Sequence, residues 1–521
     1  MPKLSRRAPP LPELLISNAV HHDPLNLGGP RRALITVSVM LASIMQALDN
    51  TIANVALPRI QGSLSATQDQ MAWVLTSYII ATAIMTPLSG WLSSQVGRRR
   101  VFLTSIVGFT IASMLCGLAQ SLPQIVGARL LQGLCGAALV PMSQAVLLDI
   151  NPPERHGRAM AIWGMGVIIG PILGPALGGW LTENYNWRWV FYINVPFGIL
   201  AFLGILSAVP ETIIRKTRFD FFGFAALSIG IGSLQLMLDR GQLQDWFSST
   251  EIWIEGTIGV VAMYLFIVHM LTTTGARFVS PALFKDRNFV TGNVFIFVVG
   301  VVLFATLALL PPLLQDLLDY PVVTTGLVTA PRGFGTLIAM FVVGRLTGKI
   351  DFRLVMAIGF GLTAFSCWQM THFDLQMDSS TVVWSGIAQG LGTGFVYVPL
   401  ATATFATLLP TLRNEGTAIF NLSRNIGSSI GISVVETLLT RNTQILHSSL
   451  AEHVTPYMSG QAQPSGSALA GLNAAVTKQA AMIAYNNDFQ LMLFLCIAAA
   501  PLVVLLRKGT PKRSAEPVIL E

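Results

Sequence analysis

Gly90-Trp-Leu-Ser-Ser-Gln-Val-Gly97-Arg98-Arg-Arg100 joins two apolar runs, 71–93 and 101–119. A degraded echo, Gly344-Arg-Leu-Thr-Gly-Lys349-Ile-Asp-Phe-Arg353, joins two more, 324–344 and 354–371. A helix needs about 20 apolar residues to cross the ~30 Å hydrocarbon core of a bilayer. Fourteen runs reach that length, from 33–57 at one end to 488–506 at the other. Setting the seventh and eighth aside as an insert leaves two sets of six, with the echo at the same place in each. The chain therefore reads as an all-α polytopic membrane protein built on a duplicated six-helix unit, six plus two plus six.

The composition agrees. Of the 521 residues, 52% are hydrophobic and 11% charged, with a mean hydropathy of +0.62. Soluble domains carry roughly 25% charged residues, so a water-facing surface cannot be built from this chain. The lipid bilayer is its solvent. The net charge of +7 does not point to nucleic acid, because the basic residues sit in short loops between apolar runs. Cys116, Cys135, Cys367 and Cys496 all lie inside such runs without CxxC spacing, which predicts packing residues rather than metal ligands or disulfides.

Charge also orients the helices. Only Arg59, Arg188, Arg240, Arg441 and Lys478 fall on one side, and Arg129, Arg332 and Arg424 fall within spans; the rest of the 32 Lys and Arg collect on the other side. The positive-inside rule places that side in the cytoplasm, with both termini there. The expected organisation is a cytoplasmic tail over 1–32, a six-helix bundle over 33–208, and two inserted helices with their flanking loops over 209–288. A second bundle follows over 289–506, containing a long periplasmic loop at 441–487, and then a cytoplasmic tail over 507–521.

Further motifs fall in order along the chain. They are Leu48-Asp49-Asn-Thr51-Ile-Ala-Asn54-Val-Ala-Leu-Pro58, Arg129-Leu-Leu-Gln132-Gly133-Leu-Cys-Gly136, Gly170-Pro171-Ile-Leu-Gly174-Pro175-Ala-Leu-Gly178 and Trp187-Arg-Trp-Val-Phe-Tyr-Ile-Asn194-Val-Pro196. With the Gly90–Arg100 loop they resemble, over nearly the whole chain, the fourteen-span drug:proton antiporter family of the major facilitator superfamily. That resemblance implies the major facilitator fold in the cell inner membrane, with proton-driven efflux of small amphiphilic drugs or toxic compounds. It also implies a periplasmic adaptor (membrane fusion protein) and an outer-membrane channel as partners, contacted through 239–251 and 441–487. One position departs from the pattern: the family's loop carries an acid where this chain has Ser94, and Gln95 replaces a basic residue. A cytoplasmic-gate salt bridge cannot be carried over to Ser94, which leaves Arg98–Arg100 with orientation alone as their task.

An ionisable group inside a span is costly and marks function by default. Asp49 lies about 16 residues into an outward-running helix, ~24 Å from its start, and Arg129 ~8 Å below the opposite surface; on a ~30 Å core the two depths coincide. They are expected to face one central cavity and to couple protons, the bland alternative being a static ion pair. Gln46, Asn54, Gln132 and Gln389 are candidate cavity groups, since an amide facing lipid is costly. Arg424 and Glu436 join them; Arg332 and Arg424 have the alternative of capping carbonyls near glycines, and Glu436 that of a carboxylate snorkelling to the interface. Met45, Trp163, Phe395 and Tyr397 are candidate pocket walls. Gly90 and Gly97 mark the conformational loop. Gly166, Gly170, Gly174 and Gly178 recur every four residues, with Pro171 and Pro175 setting a bend, and predict a flat interface between halves that rock, the alternative being ordinary tight helix packing.

No GxxxxGK[ST] occurs, which argues against ATP drive within this chain; the resemblance implies the proton gradient as energy source, and no cofactor or metal is expected. The seven histidines are scattered, which argues against an intramembrane enzyme. An exporter of one physiological metabolite in the same fold remains the alternative.

Overall fold

A computed structural model describes residues 28–211, 214, 218–346, 349–453 and 466–507. The two tails, apart from residues 28–32 and 507, and the middle of the 441–487 segment lie outside them. The described chain is helical, without a β-strand, and eleven stretches in it are long and apolar enough to cross a membrane. Three more long helices run alongside them.

The first bundle comprises α1 (Gly29–Leu64), α2 (Gln68–Val96), α3 (Arg98–Leu118), α4 (Leu122–Gly136), α5 (Leu139–Ile150), α6 (His156–Asn184), the short α7 (Trp189–Tyr192) and α8 (Asn194–Ala208). Two helices follow, α9 (Phe221–Arg240) and α10 (Thr250–Thr272), then the short α11 (Ala282–Lys285). The second bundle comprises α12 (Arg287–Pro312), α13 (Val322–Thr329), α14 (Pro331–Leu346), α15 (Phe352–Met370), α16 (Ser379–Ala406), α17 (Arg413–Glu452) and α18 (Gly466–Leu502).

Polar residues at the membrane edges start these helices. Thr67 and Gln70 form a reciprocal capping box on α2, and the carboxylates of Asp220, Asp286, Asp351 and Asp378 cap α9, α12, α15 and α16. Gly97 ends α2 and begins α3 at φ +98°, a conformation that side chains with a Cβ rarely adopt. That backbone demand accounts for the glycine in the Gly90–Arg100 loop. Prolines interrupt several helices without ending them; Pro311-Pro312 leads into a single π-helical turn over Leu313–Leu317.

The duplication is visible in packing. α1 lies on α6 as α12 lies on α17, α2 on α4 as α14 on α16, and α3 on α4 as α15 on α16. The halves meet through α2 against α17 and α6 against α14, again a symmetric pair. The inserted α9–α10 hairpin docks at this seam: Gln235 donates to Ser429 Oγ at 2.7 Å and Trp246 to Thr437 Oγ1 at 2.9 Å, both on α17.

The run 124–148 lies within one span, Leu122–Ile150, in which Ala137–Ala138 loosen the helix between α4 and α5 while keeping helical backbone angles. Two local expectations change. The segment 441–487 is largely helix rather than loop, because α17 runs 40 residues and α18 37. At 1.5 Å per residue α17 is ~60 Å long, about twice the hydrocarbon core, and it packs along α18. The glycines of α6 also face a different partner. A Cβ on Gly166 would meet Met40, on Gly170 the Ala47–Leu48 backbone, on Gly174 Thr51 and on Gly178 Ile52, so the face packs on α1 inside the first bundle. The contact between halves uses another face of α6: Gly344 against Ala161, Met340 against Gly164 and Ile172 against Gly333. Helical periodicity separates the two faces, and the spacing of four alone could not name the neighbour. α6 runs unbroken through Pro171 and Pro175; the Pro175 side chain lies outside the described residues.

Candidate functional site

Asp49 and Arg129 meet in the core of the first bundle. Arg129 donates to Asp49 Oδ2 at 2.7 Å, and the two side chains are 0% and 1% exposed. Asp49 Oδ1 accepts from Gln132 Nε2 at 2.8 Å and from Asn194 Nδ2 at 2.7 Å. Arg129 also donates to Gln132 Oε1 at 2.9 Å and to the Val74 carbonyl at 3.3 Å, with the rings of Tyr78 and Phe191 against its guanidinium. Asn194 reaches Ser113 Oγ at 2.9 Å, which in turn donates to the Phe191 carbonyl. Five helices thus place polar groups around one carboxylate. An unpaired charge at this depth would be very costly, and the network supplies both a counter-ion and the remaining hydrogen bonds. The pair is enclosed within the bundle rather than lining an open central cavity. Gln46 is buried beside the Tyr78 hydroxyl, which links it to the same cluster. Asn54 is exposed.

A second polar chain crosses between the halves. Gln144 on α5 donates to the Tyr397 hydroxyl on α16 at 3.0 Å, and Asn421 on α17 donates to Gln144 Oε1 at 2.6 Å. Trp163 stacks on Tyr397 at 6.3 Å between ring centroids and donates to Ser43 Oγ at 3.1 Å. Arg424 is half-buried and bears on the Tyr397 hydroxyl. Gln389 lies deeper in the second bundle, donating to Thr306 Oγ1 at 3.0 Å beside a cavity of about 20 Å³, room for one water. Arg332 donates to the Leu303 carbonyl at 3.2 Å, the capping role open to it from sequence. Glu436 is exposed on α17, apart from the Asp49 cluster.

The arginine-rich face carries the third constellation. Arg98 donates to Asp149 Oδ2 at 2.6 Å and to Asn414 Oδ1 at 2.6 Å. Arg413 donates to Asp149 Oδ1 at 2.8 Å, and Asn414 Nδ2 to Ser93 Oγ at 3.0 Å. Gly90 lets α2 approach the Glu415 backbone, where a Cβ would come to 3.1 Å of its Cα. One carboxylate thereby ties both halves together and closes this end. Ser94 turns its hydroxyl back to the Trp91 carbonyl of its own helix. Arg98 therefore does more than orient the chain: it is 6% exposed and bridges the halves, because its charge is answered from α5 rather than from position 94. Arg99 and Arg100 lie 3.8 Å from Glu211. Asp149→Asn is expected to leave two guanidiniums facing each other without a counter-charge. Spin labels on the Arg98-side ends of α2 and α17 should then report a longer distance population than in the unaltered protein.

Sequence reading missed Asn194, Ser113 and Tyr78 around Asp49, and Gln144, Asp149, Asn421, Arg413 and Asn414 at the seam. Gln144 was accessible to the rule that singled out Gln132, the cost of a buried amide. Among the described residues, no group of three His, Cys, Asp or Glu side chains is placed to hold a metal ion, and all four cysteines are free.

The comparisons agree with this architecture. The family model described as Major Facilitator Superfamily matches residues 39–432. Multidrug export protein EmrB of Escherichia coli K12 is 39% identical over 477 residues, covering 89% of this chain and 93% of that one. Fatty acid resistance protein FarB of Neisseria gonorrhoeae is 37% identical over 491 residues, covering 92% and 96%. The crystal structure of the human organic anion transporter MFSD10 (TETRAN) superposes with a TM-score of 0.59 at 14% identity, covering 89% of this chain and 99% of that one, a likeness of fold. With two six-helix bundles packed in the same pairwise pattern and the family model spanning most of both, this chain is a multi-pass membrane transporter of the Major Facilitator Superfamily.

Proposed function

We propose that the chain is a proton-coupled multidrug efflux transporter of the inner membrane. It exports amphiphilic toxic compounds by alternating access through fourteen spans, with both termini in the cytoplasm. The observation that carries the coupling is the Asp49–Arg129 pair, a counter-charged carboxylate at membrane depth whose two oxygens are fully committed to partners. Protonating Asp49 removes the charge that holds Arg129 and frees Gln132 and Asn194 to reorient. A proton arriving from outside can thus loosen the contacts among α1, α4 and α8.

The seam supplies the second element. Closure at the arginine-rich face rests on Asp149, and the Gln144–Tyr397–Asn421 chain lies in the same interface. Opening that end requires these bonds to part, so substrate entry and proton release are reciprocal events across a shared structure. The names of the relatives, a multidrug exporter and a fatty acid resistance protein, support amphiphiles as cargo. On this reading part of α17 and α18 stands beyond the bilayer, the surface we assign to a periplasmic adaptor leading to an outer-membrane channel.

The test is dye efflux by the purified full chain in proteoliposomes under an imposed pH gradient. Efflux should follow the gradient, stop when an ionophore collapses it, and ignore ATP. Efflux that persists without a gradient would overturn the proton coupling.

A further inference from the structure

Asp488 on α18 is 1% exposed, and neither of its carboxylate oxygens has a hydrogen-bond partner. Along α18 it lies between Tyr485 and Phe489, which belong with Met482, Met492, Leu313 and Leu314 to one buried apolar cluster. An ionised carboxylate with neither cation nor donor is among the most costly groups a protein can bury, whereas the neutral acid costs far less. The contrast with Asp49, whose oxygens both have donors, is complete.

The surroundings supply a route rather than a counter-ion. Asp316 on the π-helical turn and Glu436 on α17 are both exposed, and together with Asp488 their charges bear on the Tyr485 hydroxyl. Asp488 lies about 14 residues before Leu502, ~21 Å from the end of α18 nearest the second tail, which puts it in the far half of a ~30 Å hydrocarbon core. Among the described residues no Lys, Arg or His pairs with Asp488; Arg441, on the neighbouring α17, lies more than a helical turn beyond Glu436. Lys478, further out on α18, pairs with Asp319 at 2.9 Å. At the outer end of α15, the His372 ring bonds the Trp368 carbonyl and Asp374 accepts from the Gln376 amide. Two exposed carboxylates and a buried, unpartnered one share Tyr485 as a neighbour, an arrangement that can gather protons. It does not have the geometry of a metal site.

We infer that Asp488 is a proton-loading site of the second bundle, filled from the outer face through Asp316 and Glu436, separate from the Asp49–Arg129 pair. The proton sits on the Asp488 carboxyl in this conformation, and leaves when movement of α18 against α12 and α17 admits water to it. The release step rests on the proton-coupled export proposed above; the protonation itself does not.

Infrared spectroscopy of the purified full chain at neutral pH tests the first part. Asp488→Asn should delete a carbonyl-stretch band of a neutral carboxylic acid that Asp49→Asn leaves in place. Asp488→Glu should keep the band and shift its frequency, and it serves where the amide variant fails to fold. An unchanged band in both Asp488 variants would overturn the protonation. The second part is read as protons released into weakly buffered solution when a dye substrate binds. Asp488→Asn should release fewer protons per bound dye than the unaltered chain, and an equal number would overturn loading and release. If the unaltered chain releases none, the export reading fails while the infrared result stands on its own.

Discussion

Asp49→Asn should lower gradient-driven dye export to the level of empty liposomes, and Arg129→Gln in the same chain should restore stability without restoring export. Removing one partner of a buried ion pair costs roughly 3–5 kcal/mol, because the remaining charge is stranded. Asp49→Asn alone strands Arg129, which keeps the Val74 carbonyl, Gln132 Oε1 and two aromatic faces but no counter-charge. The single variant should therefore melt well below the unaltered protein. The double variant removes the stranded charge and should recover much of the loss, a coupling between neighbours that the four-way comparison measures directly. Export separates the two readings of the pair. A static tie predicts that activity returns with stability. A proton carrier predicts that activity stays absent, since neither amide titrates.

The second large effect concerns how closely helices approach. A Cβ on Gly170 would lie 2.7 Å from the Leu48 amide nitrogen and 2.8 Å from the Ala47 carbonyl carbon, both backbone atoms that cannot rotate away. In the second bundle the corresponding contact is tighter, with a Cβ on Gly427 falling 2.3 Å from the Phe297 carbonyl oxygen. Overpacking of an interior commonly costs ~1–3 kcal/mol, and contacts with backbone belong at or above the top of that range. Gly170→Ala and Gly427→Ala should each sharply reduce the yield of folded protein, and the folded remainder should melt at lower temperature. Gly179, in the same helix as Gly170, has open space where a Cβ would sit, with nothing within 4 Å, so Gly179→Ala should be neutral or slightly stabilising. Equal melting of Gly170→Ala and Gly179→Ala would show that α1 and α6 adapt freely.

These residues also mark what sequence could and could not tell. The Gly90–Arg100 loop and its echo disclosed the duplication because a repeat needs no knowledge of neighbours. Asp49 and Arg129 could be matched by depth alone, since two charges at one level of a bilayer have few other partners. The neighbours of each glycine were illegible: a four-residue spacing says that a face is flat, not whether α1 or α14 lies on it. Arg98 is illegible for a related reason: the loop offers no acid at position 94, and the carboxylate that answers it stands 51 residues further on in α5. Asp488 carries no signal in the sequence, because it sits at the boundary between a polar segment and an apolar run, where a carboxylate is ordinary.

The length of α17 has a mechanical consequence. One uninterrupted helix carries Arg413 and Asn414 at the closure, Asn421 at the crossing, Gly427 against α12, Thr437 under the inserted hairpin, and then continues to Glu452. A rod ~60 Å long pivoting near its middle acts as a lever. In the alternating access proposed above, an inner end released from Asp149 would carry the far end of the same helix with it in the opposite sense, so one broken ion pair would be read out ~60 Å away.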